Sequence, residues 1–435
     1  MIKRFIKILK SLRLKRSSHR KMIELDKLIA SSIYFSNQGE YKKAETYLQQ
    51  AAILMPSNPK IAPHIGRVRF LRDRFSDLKT QDETKKMLEQ IDLMNIELKR
   101  KPIYFPGEFW EGVGRFHVQV LEQYGVENFK RTVSHHYQNW FMDSYNDPQV
   151  RQLFNTWPAN LALEPWTNVI EIPNHVGLPT LDDDFKTPMY RLANPESLEI
   201  YRISVGLLWE FVKNSTAGNL LEQLPELEIG NPLRIWRKGK LISSDMAHSL
   251  RERSMFLDAL NLKGNEGLIV GELGAGHGRL AEVFGRTTNY RHFIFDIAPA
   301  LYVSQWYIKS IFPNEKIFEF RHFEDFEEIR SELQECRFAF FTSNQIEMIP
   351  DEFFNLFINM NSLAEMRLDQ IKNFLSQIDR LTSRAFLSRQ QEKSFNPIEL
   401  TPLTKNDFAL PSRWLLILDK LDEIYPDYFN QIWTR

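Results

Sequence analysis

Residues 268–284 read LIVGELGAGHGRLAEVF. A short apolar run leads into Glu272, three glycines alternate at Gly274, Gly276 and Gly278, and a helix-like pattern follows from Arg279. The run is short, apolar and bounded by glycine, which predicts a buried strand ending in a tight turn. A strand, a glycine-rich turn and a helix in that order present backbone to a ligand, because glycine removes the Cβ atoms that would hold it off.

Working outward, strands and helices alternate. RHFIFDI (291–297) is a second strand ending in Asp296, and PALYVSQWYIKSIF (299–312) is a helix with Pro299 in its first turn. RFAFFTS (337–343) and NLFINMNS (355–362) are further strands, LDQIKNFLSQIDRLTS (368–383) is a helix, and RAFLSR (384–389) is a strand. The closing YFNQIWTR (428–435) is expected to complete the sheet edge, and the acidic RHFEDFEEIRSELQE (321–335) to be a solvated helix. Such alternation predicts a parallel sheet covered on both faces, a Rossmann-like α/β architecture.

Three ligands compete for the turn. A phosphate-binding P-loop needs Gly-Lys-Ser/Thr, which is missing here. A dinucleotide site wants its third glycine at position 279, where this chain has Arg279. The observed order, E-x-G-x-G-x-G, resembles the first motif of class I S-adenosylmethionine-dependent methyltransferases. In that reading Glu272 suits the ammonium group of the cofactor and the glycines let it lie on the backbone. Asp296 stands where a carboxylate accepts two ribose hydroxyls, a placement shared with dinucleotide sites.

Upstream, FWEGVGRFHVQVLEQYGVENFKRTVSHHYQNW (109–140) and KGKLISSDMAHSLRERSMF (238–256) precede GELGAGHGRLAEVF, FDIAPALYVSQWYI and LFINMNSLAEM in fixed order. Together they resemble the family of sugar O-methyltransferases encoded in bacterial surface-polysaccharide gene clusters, over about Ile103 to Arg435. The chain departs from that family at His277, where a tyrosine is usual, and near Arg251-Glu252-Arg253, where a glutamate-tyrosine pair is common. The resemblance implies an S-adenosylmethionine-dependent enzyme of polysaccharide or glycan biosynthesis with a sugar or glycan acceptor. It implies a cofactor site of Glu272, Gly274, Gly276, Gly278 and Asp296, with Asn344 and Gln345 near the adenine. Asn361 and Ser362 would face the methyl-transfer centre. For the base that activates a hydroxyl the candidates are Glu365 and His277. No carboxylate or histidine cluster has diagnostic spacing, so no metal is expected; in particular, His135 and His136 are neighbours, about 100° apart on a helix. Two other functions stay open: methylation of a non-sugar acceptor, and an inactive scaffold.

The chain has 435 residues, 43% hydrophobic and 26% charged, with one cysteine, Cys336. That excludes an internal disulfide and fits a reducing, cytoplasmic setting. Lys+Arg and Asp+Glu are 56 each; the balance says nothing about nucleic acid, and no nucleic-acid partner is expected. Four regions are expected. The arm 1–22 carries nine Lys/Arg before its first acid, Glu24. It reads either as an interfacial helix giving peripheral membrane contact or as a solvated basic arm. Region 23–101 is helical. Its Gly39, Tyr41, Ala44, Tyr47, Leu48, Ala51 and Pro56 resemble one tetratricopeptide repeat, a hairpin that either holds a protein partner or packs on its neighbour. Region 102–262 is aromatic and expected to cover the crevice, and 263–435 is the cofactor-binding domain. No run reaches the ~18 uninterrupted apolar residues of a membrane span.

Overall fold

In the computed structural model the described residues are 21–35, 41–55, 58, 61, 64–65, 68, 78–134, 147–156, 195–233, 235–237, 239–392 and 402–435. The basic arm to residue 20, Gly39, Pro56 and the His135-His136 pair lie outside them. The chain divides into two compact units, Met1–Glu83 with Glu171–Pro195, and Thr84–Ile170 with Glu196–Arg435.

In the first unit, helices α1 (21–35) and α2 (Tyr41–Leu54) close on small and apolar residues. Ala44, Leu48 and Ala51 are buried. Ala51 packs with Leu25 and Ile29, and the rings of Phe35 and Tyr47 stack at 5.3 Å.

The second unit begins within α3 (Leu78–Leu98) and continues through α4 (Glu108–Tyr124), α5 (Pro148–Thr156), α6 (Pro195–Lys213) and α7 (Gly218–Gln223). A hairpin of β1 (Ile235–Arg237) and β2 (Lys240–Ile242) leads to α8 (Ser244–Ala259). Ser243 caps α8 by accepting the Met246 N–H at 3.1 Å. The main sheet then forms from β3 (Ile269–Leu273), β4 (Arg291–Asp296), β5 (Ile317–Phe318), β6 (Phe338–Thr342), β7 (Phe354–Met360), β8 (Thr382–Gln391), β9 (Leu415–Leu421) and β10 (Tyr428–Thr434). Helices α9 (Arg279–Thr287), α10 (Ala300–Ile311), α11 (Glu327–Glu335) and α12 (Leu368–Leu381) connect the strands.

The strand order is β5-β6-β4-β3-β7-β8-β10-β9. From β5 to β8 all pairs are parallel, and β10 joins β8 and β9 antiparallel. This is the mixed, mainly parallel Rossmann-like α/β sheet that the alternation of strands and helices predicts, preceded by helices. The closing strand completes this end of the sheet, though not as its outermost member. β9 is the edge, and β10 inserts between β8 and β9.

Parallel strands are buried on both faces and read as continuous apolar runs. One face buries the rings of Phe293, Phe295, Phe341, Phe354 and Phe357, with Phe295 stacked on Phe341 at 5.2 Å. Onto this face α12 lays Ile371, Phe374, Leu375 and Ile378, a helical stripe at three- and four-residue spacing. The opposite face buries Val270, Ile358 and Leu387 against Phe256 and Phe284. Helix α11 buries Ile329 and Leu333 and turns its acids outward. The chain leaves β3 toward β4 on one side and returns to β7 on the other. This switch point opens a crevice beyond the strand ends, where ligands bind in open α/β sheets.

Candidate functional site

A cleft of about 1100 Å³, open mouth included, lies over those strand ends. Its floor is the turn after β3. Gly274 and Gly276 line it in left-handed backbone conformation, at φ +71° and +60°. Asp296, the last residue of β4, faces the turn. Its Oδ2 accepts the Gly276 N–H at 2.9 Å and its Oδ1 accepts the Ile297 N–H at 2.7 Å. Burial pushes its carboxyl up to about 7; those N–H donors oppose the shift, and the charge of Glu272 adds to it. Glu272 also lines the cleft, and its Oε2 meets His292 Nε2 at 2.6 Å.

The loop after β7 forms the next wall. Asn359 donates to the Leu273 carbonyl at 2.9 Å and to Ser362 Oγ at 2.6 Å, locking the ends of β7 and β3 together. Gln390 on β8 holds the same loop, donating to Asn359 Oδ1 at 2.7 Å and accepting the Ala364 N–H at 3.1 Å. Asn361, at φ +66°, donates its N–H to the Arg389 carbonyl at 2.7 Å. The loop delivers Glu365 to the cleft, where its Oε2 accepts the Trp110 indole N–H at 3.1 Å.

Trp110 comes from α4, which roofs the cleft. Trp110, Gly114 and His117 share one helix face at i, i+4 and i+7, and all three line the cleft. A Cβ on Gly114 would sit 3.6 Å from the Ala298 carbonyl oxygen and 3.6 Å from Pro299 Cδ, so the helix crosses directly over the loop after β4. The approach to α4 is pinned: Gln370 donates to the carbonyls of Ile103 and Phe105 at 3.0 and 2.8 Å, and the Tyr104 hydroxyl donates to Glu347 at 2.6 Å.

Of the residues read from sequence, the structure brings Glu272, Gly274, Gly276, Asp296, Asn361, Ser362 and Glu365 together around the cleft. It does not bring the others. Gly278 caps α9 at φ +82°, away from the lining. His277 is 2% exposed, its ring packed on Phe129 and Tyr307 at 5.2 and 5.8 Å. Burial, with the charges of Lys130 and Arg279, lowers its pKa well below the ordinary histidine value. Asn344 turns to α3, donating to Glu97 Oε1 at 3.0 Å. Gln345 closes its own turn, accepting the Thr342 N–H at 3.0 Å and donating to the Arg321 carbonyl at 2.9 Å. Ser343 lines the cleft instead. Sequence reading missed His117, Gln370 and His292 as site residues; the helix face that His117 shares with Trp110 was the available signal. Among the described residues no group of three or more His, Cys, Asp or Glu is placed to hold a metal ion, and no helix is long and apolar enough to cross a membrane.

No protein-family model matches the chain. No curated protein matches it either. Among solved structures it is similar to magnesium protoporphyrin IX methyltransferase of Synechocystis PCC 6803 with bound S-adenosylhomocysteine, at 12% identity over 44% of this chain and 85% of that one, TM-score 0.32. It is similar also to 1,6-didemethyltoxoflavin-N1-methyltransferase of Burkholderia thailandensis, at 13% identity over 44% and 80%, TM-score 0.29. A third is an S-adenosylmethionine-dependent methyltransferase of Aquifex aeolicus, at 10% identity over 42% and 88%, TM-score 0.27. The fold is read from the strand order and the strand-end turn themselves.

Proposed function

We propose that this protein is an S-adenosylmethionine-dependent O-methyltransferase acting on a sugar hydroxyl, in surface-polysaccharide or other glycan assembly. The observation that carries the reading is the pair of buried acids, Glu272 and Asp296, at the carboxyl ends of adjacent parallel strands, either side of a glycine turn whose backbone lines the cleft. The residues fit the cofactor. Asp296 is held by two backbone N–H groups, with its carboxylate in the lining, the arrangement a ribose diol needs. Burial is the main cause of the raised Asp296 pKa, and the smaller part that comes from the Glu272 charge is what a ligand of net positive charge relieves.

When bound, S-adenosylmethionine supplies a methyl group on a positively charged sulfur that departs with the bonding electron pair as a neutral thioether. The chain's part is alignment and proton removal. Holding the acceptor oxygen in line supplies several kcal/mol, up to ~7–11 for well-oriented groups. Glu365 takes the hydroxyl proton, positioned by the Trp110 N–H on one side and by the Asn359–Gln390 clamp below. In Glu365→Gln the amide cannot take a proton. Turnover is expected to fall by roughly 10²-fold, with affinity for S-adenosylhomocysteine unchanged. Unchanged turnover would make Glu365 structural.

The reading is tested by calorimetric titration with S-adenosylhomocysteine and, in parallel, NAD. Binding of the former alone is expected; binding of NAD alone, or of neither, overturns it. Asp296 adds a pH signature. Below about 7 its carboxyl is protonated in the free protein, and the ligand hydroxyls then meet a neutral acid. Affinity is therefore expected to rise with pH, approaching ~10-fold per unit on the acid side, and to level off above the pKa. Asp296→Asn is expected to bind weakly at every pH; a flat wild-type profile would show that Asp296 does not contact the ligand.

The closed α1–α2 pair supports reading the first unit as a tetratricopeptide-like module that holds a protein partner.

A further inference from the structure

Charge is distributed one-sidedly over the cleft. Its described lining contains the carboxylates of Glu272, Asp296 and Glu365. No lysine is among the described lining residues, and Arg279 is the one arginine. Arg279 is 7% exposed, and its guanidinium grips both Glu252 oxygens at 2.7 and 3.3 Å and Ser249 Oγ at 2.7 Å. That fork is engaged inside the wall, and bidentate Arg forks are what planar phosphate recognition uses.

Apolar and aromatic residues, Tyr104, Pro106, Trp110, Met366 and Phe374 among them, complete the lining. Trp110 is half-buried, and its N–H edge is tied to Glu365 at 3.1 Å. An indole face next to a carboxylate matches a saturated ring that has an apolar C–H face and hydroxyls at its edge.

We propose that the acceptor enters as an uncharged pyranose-type ring, its C–H face on Trp110 and a hydroxyl on Glu365, and that phosphorylated or nucleotide-linked forms of the same sugar are refused. This rests on the methyltransferase reading and narrows it. A phosphate brought beside the Glu365 carboxylate meets like charge in a partly desolvated space, and among the described lining residues the one guanidinium, Arg279, is already engaged by Glu252 and does not repay its lost hydration.

The test uses the full chain, with binding of S-adenosylhomocysteine verified first. Methyl transfer from isotopically labelled S-adenosylmethionine is then measured against methyl α-glycosides of hexoses and 6-deoxyhexoses, and against the matching sugar 1-phosphates and nucleoside diphosphate sugars. Neutral glycosides are expected to turn over, with kcat/KM at least ~10-fold above their charged counterparts. Trp110→Ala is expected to raise KM for the glycoside by about 10-fold through loss of stacking. Trp110→Phe keeps the stack and loses the N–H, so KM is held while the acid limb of the kcat profile moves to higher pH, because the Glu365 carboxylate loses a donor. A charged acceptor that turns over as well as the neutral one overturns the proposal. So does the absence of turnover with any neutral glycoside in a protein that binds S-adenosylhomocysteine. Failure to bind S-adenosylhomocysteine overturns the methyltransferase reading beneath it instead.

Discussion

Gly276→Val is expected to abolish S-adenosylhomocysteine binding while leaving the fold intact. Gly276 sits at φ +60° in the cleft lining. A residue with a Cβ held in that region costs roughly 1–2 kcal/mol, and a β-branched one more. The strain is relieved only by rotating the peptide, which withdraws the N–H that Asp296 Oδ2 accepts at 2.9 Å. A hydrogen bond to a charged group is worth about 1.5–3 kcal/mol. The isopropyl group meanwhile occupies the turn surface on which the proposed ligand would lie. Together these amount to ~100-fold or more in affinity, beyond detection by calorimetric titration at ordinary protein concentrations. The strain and the lost hydrogen bond act on the free protein as well, so the thermal midpoint is expected to fall by several degrees while the cooperative transition is kept, since the turn is outside the packed layers. Full-strength binding in the variant would remove the turn from the ligand site.

The three glycines look alike in sequence and differ in structure, and this marks where sequence reading stops. Their spacing after an apolar run gives the strand, the turn and the helix, because those depend on local conformation. Asp296 is legible for the same reason: the apolar run RHFIF ends there. What each glycine is for depends on residues far along the chain. A Cβ on Gly274 would lie 2.3 Å from Ser362 Oγ, so that glycine makes room for the loop after β7. Gly278 is a helix cap whose missing Cβ faces Ser304 and Ile308 at 3.4 Å. Within such a turn no periodicity says where a side chain points, and His277 turns into the wall. Asn344 and Gln345 miss the cleft by one and two residues, because a short 3₁₀ turn from Ser343 rotates them toward Glu97 and Arg321. The pairing of Trp110 with Glu365 spans 255 positions. The helix face that contains Trp110 can be read; its docking site cannot. The same holds for β10, since the order of antiparallel edge strands is set by pairing between distant segments.

Asp422→Ala is expected to destabilise the second unit by about 3–5 kcal/mol, the usual result of removing one partner from a buried ion pair. Asp422 follows β9 and is 4% exposed. Its carboxylate accepts from Arg251 Nη1 at 3.0 Å, from Arg389 Nε at 3.3 Å, and from the N–H groups of Ile424 and Tyr425 at 2.9 and 3.0 Å. Burial pushes its carboxyl up, but Arg389 and Arg251, with the Arg251 and Ile424 hydrogen bonds, outweigh that and hold it well below the usual carboxylate range. Arg389 is 1% exposed and stacks over Tyr428 at 4.6 Å. Without the anion its charge is left buried, with Glu252 at 4.0 Å as the remaining acid. Urea denaturation of wild type and variant measures the difference, and a cost under about 1 kcal/mol would mean that water reaches the pair. The pH dependence gives an independent check. A carboxyl whose folded pKa is depressed stabilises fully above its unfolded value of about 3.9 and loses that contribution as pH falls below it. The gap between wild type and variant is therefore expected to be constant near neutrality and to shrink below pH of about 4. Because Arg389 also accepts the Asn361 N–H on its carbonyl, at 2.7 Å, the variant loosens the loop that delivers Glu365. Turnover is then expected to fall more than affinity for S-adenosylhomocysteine, since the Gly276–Asp296 contact lies on the opposite side of β3.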